Sequence, residues 1–452
     1  MFRKKMDDLI KWKQSNNRKP LIIKGARQVG KTWLMKEFAH LEYQNMVYFN
    51  FDENSELDQL FQTTKDPKRL LDMLAIISEQ PILSQETLII FDEIQESADA
   101  INALKYFYEK TSDYHFIAAG SLLGVTLASN KGFPVGKVDF LNLQPLSFLE
   151  FLQALNEERL VSFIQQKKDL EKIPQLFVTL LEERLQQFYL IGGMPEVVDT
   201  WIRTKDILKI QEIQKNILET YRLDFSKHTT KSEQNKLTLV WESIPSQLIK
   251  ENKKFIYRVI RKGARAKDYE FSLQWISNAG LIQKINWNAA TGIPLKVYDD
   301  PNIFKTYLLD VGLLSAASGI EGTILLQSQK ILTGFNGGLT ENYVCNALFN
   351  EWNTLPKYWT SDSPKAEIDF LFQYENILFP IEVKATTNIK SQSLKVFSEK
   401  KKAPLRLRFS LNNLTLNGNL LNLPLYFAND VRKYIDLAMN TLYGKNWREK
   451  SC

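Results

Sequence analysis

LIIKGARQVGKT, residues 21–32, decides the fold. A short apolar run reads as a buried strand, a glycine-bounded loop follows it, and a helix begins near Gly30. Gly25 and Gly30 let the backbone turn tightly and aim its N–H groups inward, with Ala26, Arg27, Gln28 and Val29 supplying the amides between them. Lys31 offers a cation to the β- and γ-phosphates, and Thr32 a hydroxyl to a metal ion. The spacing G-x-x-x-x-G-K-T in this strand–loop–helix setting points to ATP and Mg2+ as cofactors.

Working outward, further strand-like runs alternate with helical periodicity: MVYFNF, TLIIFDE, HFIAAGS and VDFLNLQPL. Runs apolar on both faces and separated by helix-length segments predict a buried parallel sheet. The run LIIFDEIQ ends in Asp92-Glu93. An acidic pair at the end of a buried strand is costly without a task, and two tasks fit: Asp92 on the metal with Glu93 polarising an attacking water, or a helix N-cap. Ser121, closing HFIAAGS, is expected between the two motifs, as a γ-phosphate sensor or as an N-cap.

The 452 residues are 44% hydrophobic and 24% charged, an ordinary globular composition that excludes a disordered, collagen-like or coiled-coil chain. The length predicts about three domains. Lys and Arg exceed Asp and Glu by 58 to 52, a charge of +6 that permits a nucleic-acid partner without requiring one. The two cysteines, Cys345 and Cys452, exclude a disulfide scaffold and fit a reducing cytoplasm. The charged N-terminus lacks an apolar signal region, and no stretch reaches the ~18 apolar residues of a membrane helix. The expectation is a cytoplasmic protein without a membrane partner.

With GARQVGKT, LIIFDEIQ and AAGSLLG in order, the chain resembles AAA-type ATPases of the additional-strand class. With LQPLSFLEF (143–151), GGMPEVV (192–198), IPSQL (244–248), KGARAKDYE (262–270) and FKTYLLDVGLL (304–314), it resembles more narrowly a family of prokaryotic ATP-binding proteins with an uncharacterised C-terminal region. The resemblance implies an α/β multidomain fold: a P-loop parallel-sheet ATPase core over 1–151, a helical lid over 152–229, a winged-helix-like domain over 230–325 and an α/β domain over 326–452. Family members carry Gly-Arg before PLSF, where this chain has Gly136-Lys137. Lysine lacks the planar fork of an arginine finger, which leaves Arg222, Arg258 and Arg265 as candidates for a finger, within one chain or across a homo-oligomer.

Residues 250–267, KENKKFIYRVIRKGARAK, hold eight Lys or Arg and one acid. Phe255, Ile256, Val259 and Ile260 recur at helical spacing, so one face is expected to pack while the cations cover the rest. A second helix ending at Gly280 and a β-pair at Leu281–Trp287 and Pro294–Tyr298 follow. Helix, turn, helix and wing is a DNA-docking order; a solvated face inside a lid module is the alternative.

The last third returns to α/β, with the helix ENYVCNALFNEW and the strands KYWTS, EIDFLFQ, ILFPIEVKA and LRLRFSL. Glu341 lies on the helix, Asp369 in one strand, and Glu382 and Lys384 two apart in the next, hence on one face. Three carboxylates and a lysine suit metal-assisted phosphodiester hydrolysis, the acids binding Mg2+ and the lysine steadying the nucleophile. This pattern resembles the restriction-endonuclease-like nucleases, with Ile368-Asp369 where Pro-Asp is common and a basic run from Lys390 to Arg408. A cleft that keeps the acids but binds without cutting remains the alternative. Gly192-Gly193 reads as a turn between lid helices or a nucleotide-facing pair; His40, His115 and His228 read as ordinary side chains. Three functions stay open: an ATP-dependent DNA-processing enzyme, a nucleotide-switch regulator, and a protein-remodelling ATPase.

Overall fold

The computed structural model describes residues 1–452 apart from 55, 126–133, 228, 250–253, 291, 321–335, 362–364, 386–391 and 449–452. His228, Lys250, Glu251, Lys253, Lys390 and Cys452 therefore lie outside the described residues. The chain divides into two compact units, one of residues 2–145 with 274–281, the other of 146–273 with 282–452. No helix among the described residues is long and apolar enough to cross a membrane.

In the first unit β1 (Leu21–Lys24), β2 (Asn45–Asn50), β3 (Thr87–Asp92), β4 (His115–Gly120) and β5 (Asp139–Asn142) form, among the described residues, a five-stranded sheet in the order β2-β3-β4-β1-β5. Every neighbouring pair is parallel. Each of the five expected runs becomes a strand, and the motif helix spans Lys31–Glu42. β3 and β4 are buried along their whole length, as strands covered on both faces must be. Phe91 of β3 sits inside a ring of Phe49, Phe51, Phe61, Phe107 and Phe116, with centroids 5.5–6.5 Å away. This aromatic packing fixes β3 against its covering helices. Because β4 lies between β1 and β3, the loop leaving β1 and the acids ending β3 flank the end of β4, where Ser121 begins.

The PLSF segment is not a strand. Ser147 accepts a hydrogen bond from the Glu150 amide while the Glu150 carboxylate accepts one from the Ser147 amide, a capping box that starts the helix Phe148–Ala154. That helix belongs to the second unit, followed by Glu158–Gln166, Gln175–Ile191, Pro195–Thr204 and Ile207–Asp224. The expected break at residues 191–195 is present: Gly192 ends one helix and Pro195 starts the next.

The expected β-pair is shifted. β6 spans Ile282–Asn288, but its partner β7 runs over Asp299–Leu308, with a 3-10 turn at Leu295–Tyr298. Pro294 cannot donate to a ladder, and the true strand is the apolar alternation ending in IFKTYL. This hairpin continues through Trp287 and Tyr358 into the C-terminal strands. β8 (Lys357–Ser361), β9 (Ala366–Tyr374) and β10 (Ile377–Val383) form an antiparallel meander. The helix Gln392–Lys401 then crosses to β11 (Arg406–Ser410), parallel to β10. β12 (Thr415–Asn417) and β13 (Leu420–Pro424), which the sequence reading passed over, complete an eight-stranded sheet among the described residues. Asn417-Gly418, with Gly418 at φ +55°, is the hairpin signal that would have found them.

Gly192 and Gly193 make a packing junction. Asp310 accepts hydrogen bonds from the amides of Gly193 (2.6 Å) and Leu313 (2.9 Å), and caps the helix Val311–Ala317. Burial nevertheless pushes its carboxyl up to about 6, against those donors. A Cβ on Gly312 would stand 2.5 Å from the Gly192 amide nitrogen and from two Ile191 backbone atoms. Since backbone cannot yield as a side-chain tip does, Gly312→Ala should destabilise the second unit by at least about 2 kcal/mol. Denaturant unfolding followed by tryptophan fluorescence should show an earlier transition; an unchanged midpoint would contradict this packing.

Candidate nucleotide site and acidic cleft

The glycine loop of the first unit is shaped by close approach. A Cβ on Gly25 would meet the Leu143 carbonyl oxygen at 2.3 Å, so only glycine lets the loop leave β1 here. Gly30 takes φ +93° and Gln28 φ +66°, a left-handed conformation that costs a non-glycine residue about 1–2 kcal/mol. Backbone strain of this kind gathers where function needs a fixed shape. The helix starting at Lys31 has no side chain capping its first turn, leaving helix-end amides and dipole suited to an anion.

Lys31 is buried, its ammonium donating to the carbonyls of Gly25 (2.9 Å) and Ala26 (2.8 Å). The Thr32 hydroxyl donates to Asp92 Oδ2 at 2.6 Å, joining loop and strand β3. Tyr48 donates to the same oxygen at 2.9 Å, a partner the sequence pattern did not reveal; its place in β2, register-paired beside β3, is the signal. Thr32 and Asp92 thus present adjacent oxygens at the end of a phosphate-type loop, a donor set that fits Mg2+.

Glu93 follows at φ +50°, another left-handed residue. Its Oε2 accepts from the Ser121 hydroxyl (3.1 Å), the Ser121 amide (3.2 Å) and the Gln95 side-chain amide. Burial pushes its carboxyl up, but the Gln95 hydrogen bond, the Lys31 charge and Ser121 together hold it below the usual value. Glu93 is therefore ionised at neutral pH. Ser121 is bonded to Glu93 through both its amide and its hydroxyl. Gln95 packs where a Cβ on Gly120 would stand 1.9 Å from its Oε1.

Arg3 was missed altogether. It is buried, and its guanidinium donates to the carbonyls of Val29 (3.0 Å) and Gln144, bracing the outside of the loop. Gly280 lies against the loop as well: its Cβ position is 3.4 Å from the Ala26 amide nitrogen. His115 is buried and pushed down to about 4 by burial and by the nearby cations of Arg18 and Lys13. It is a neutral core residue, as expected.

The basic segment differs from its expected form. A single helical turn covers Tyr257–Ile260, the chain turns at Gly263 (φ +84°), and the second helix spans Ala266–Asn278. Of the four apolar residues only Phe255 is buried, stacked on Phe304 with centroids 5.3 Å apart. Gln247 clamps the Ile256 amide and carbonyl, which stops the helix from extending backward. Lys254, Arg258, Arg261, Lys262, Arg265 and Lys267 are all exposed. Of the finger candidates, Arg222 pairs with Glu219 on the surface; Lys137, which stands where the family carries arginine, pairs with Glu109 at 3.0 Å.

In the second unit the four expected C-terminal residues gather in one charged cluster, with two that the sequence reading passed over, Lys305 of β7 and Glu367 of β9. Asp369 accepts from the Val383 amide at 2.7 Å, Lys384 pairs with Glu382 at 3.0 Å, and Glu341 accepts from Tyr307 at 2.9 Å. Lys305 lies 2.7 Å from Glu367 and 3.6 Å from Glu341. Burial and the Glu341 charge push the Asp369 carboxyl well up, with Lys305 opposing. Among the described residues no group of three or more His, Cys, Asp or Glu side chains is gathered so as to hold an ion; Glu341, Asp369 and Glu382 lie in one charged cluster, each with its own partner. Each acid is already taken by an amide, a phenol or an ammonium.

Residues 17–152 match the family model of an AAA domain, and with the parallel sheet and motif loop they form an AAA-type P-loop domain. Residues 182–323 and 336–426 match two domains of unknown function, DUF8612 and DUF4143. No curated protein matches the chain. Among solved structures, the chain is similar to the Walker-type ATPase PABY2304 of Pyrococcus abyssi, 15% identical with a TM-score of 0.44, over 70% of this chain and 95% of that one. It is also similar to the Aeropyrum pernix ORC1 protein in complex with DNA (10% identical, TM-score 0.31, 71% and 93% covered). AMPPCP-bound DnaA from Aquifex aeolicus is 14% identical with a TM-score of 0.28, over 60% and 85%.

Arg3→Ala should remove two hydrogen bonds from a charged donor, about 1.5–3 kcal/mol each at most. Amide exchange at residues 25–32 should quicken markedly while β2 amides stay protected; equal protection in both proteins would refute the bracing role.

Proposed function

We propose that this protein is a cytoplasmic Mg-ATP-binding ATPase that couples nucleotide state to action on DNA. The hydrogen bond from Thr32 to Asp92 at 2.6 Å carries the reading, because it sets two metal-type oxygens beside a glycine loop that also holds Lys31. The amides of Gly25 to Thr32 would wrap the phosphates, and Lys31 would leave its carbonyl partners to neutralise charge on them. When bound, Mg2+ supplies Lewis-acid polarisation of the phosphate oxygens at Thr32 and Asp92. Glu93, ionised and aimed by Ser121 and Gln95, accepts the proton of the attacking water. Residues 152–229 would serve as lid and 230–325 as a winged-helix-like module whose exposed cations meet DNA phosphates. An arginine finger would come from Arg222, Arg258 or Arg265, in the same chain or in a second copy.

A second reading, metal-dependent cleavage by the domain 326–452, is favoured by one observation. Asp369 and Glu382 lie on the consecutive, paired strands β9 and β10 after the helix Asn336–Trp352 that carries Glu341, the placement the acid–spacer–acid-x-lysine pattern calls for. In it Asp369 and Glu382 would bind metal with Glu341, and Lys384 would steady the nucleophile.

Titration calorimetry with Mg-ATP should show one site, and Lys31→Ala should weaken it about tenfold or more, the worth of a charge-assisted contact. Glu93→Gln should keep binding and lose about 10²–10⁴-fold in turnover. Equal turnover in Glu93→Gln would remove Glu93 from its role. Since the Glu93 carboxyl is held down, its acid limb should lie below the ordinary glutamate range, with turnover flat above about pH 6. DNA affinity, read by fluorescence anisotropy, should fall steeply with salt, and the combined Arg258→Ala, Arg261→Ala change should flatten that slope by about two contacts. A slope near zero in the parent protein would point to an acidic protein partner instead.

A further inference from the structure

The C-terminal cleft is not a bare cluster of acids. A lysine from outside its meander stands inside it: Lys305, on β7, is 7% exposed and has its ammonium 2.7 Å from Glu367 and 3.6 Å from Glu341. Asp369 lies within its electrostatic reach. Lys384 occupies the other side, on Glu382 Oε1 at 3.0 Å. Glu382 is 3% exposed, and its second oxygen has no hydrogen-bond partner among the described residues. A buried carboxylate oxygen without a donor is costly, even with the Lys384 ammonium on the other oxygen and the Arg408 guanidinium, register-paired with Glu382, within electrostatic reach. A lone lysine buried on a strand is stable only with such counter-charges.

We propose that Lys305 is a resident cation that keeps a divalent ion out of this cleft, so that the acids form a metal site only when its ammonium is withdrawn. Two observations support this jointly: the ammonium sits on Glu341 and Glu367, where a metal would compete for the same oxygens, and Glu341, Asp369 and Glu382 each have a separate partner in Tyr307, Val383 and Lys384. An ammonium a few ångströms from a divalent cation is strongly repulsive, more so out of water. The inference is independent of the ATP reading. It bears on the cleavage reading by stating what must move before cleavage begins.

The test is Mn2+ binding, followed by electron paramagnetic resonance and by melting temperature on the full chain without nucleotide. The parent protein should show no saturable binding sensitive to Asp369→Asn. Lys305→Met, which keeps the length and loses the charge, should gain one Mn2+ site at least about tenfold tighter and melt higher on adding Mn2+. Adding Asp369→Asn to it should abolish the gain. Lys305→Arg, which keeps the charge, should behave as the parent. A saturable, Asp369-dependent Mn2+ site in the parent protein overturns the proposal, and that measurement needs no variant at position 305 to fold. A folded Lys305→Met without gained binding overturns it as well. Neither readout involves DNA cutting, so failure here is separable from failure of the cleavage reading, which a plasmid-nicking assay of Lys384→Ala decides.

Discussion

Backbone that must wrap an anion cannot carry Cβ atoms where it passes other backbone. At Gly25 that constraint is absolute, since the Leu143 carbonyl occupies the space. From this one close approach much of the first unit follows. β1 lies inside the sheet, between β4 and the edge strand β5, and β3 ends at a height where Asp92 reaches Thr32. The phenylalanine ring around Phe91 sets that height by packing rather than by polar contacts. Strain at Gln28 and Glu93 is the cost of holding both ends of this link in a fixed shape.

The first unit was legible because its signals are local. A buried strand, a glycine loop and an acidic pair declare themselves in a few residues each, and parallel strands covered on both faces show as continuous apolar runs. Arg3 and Tyr48 were not legible, because each acts through a long-range contact with no sequence pattern of its own; Gln95 is a neighbour of Glu93 in sequence, and only the fold packs it against Gly120. The second unit was legible in part. The meander and its acids were readable by alternation, but the second strand of the β6–β7 hairpin was misplaced by a proline-bearing segment that looked extended and was a turn.

The same limit explains Lys305. Within FKTYLLDVGLL it reads as one more polar residue on an alternating strand. Only the assembled sheet, in which β6 joins the edge strand β7 to β8, brings it to the acids of β9 and of the preceding helix. A motif of acids defines a charge distribution only after every cation that folding delivers has been counted. Here folding brings Lys305 of β7 and Arg408 of β11 to the acids beside Lys384, and only Lys384 belongs to the motif.

Arg3 carries a practical lesson for anyone preparing this protein. Its guanidinium reaches the carbonyl of Val29 across 26 residues of sequence. A preparation that has lost or replaced Arg3, by proteolytic clipping or through a cloning scar, would have its loop loosened from behind while every motif stays intact. A sluggish preparation should therefore have its intact mass checked before its chemistry is doubted.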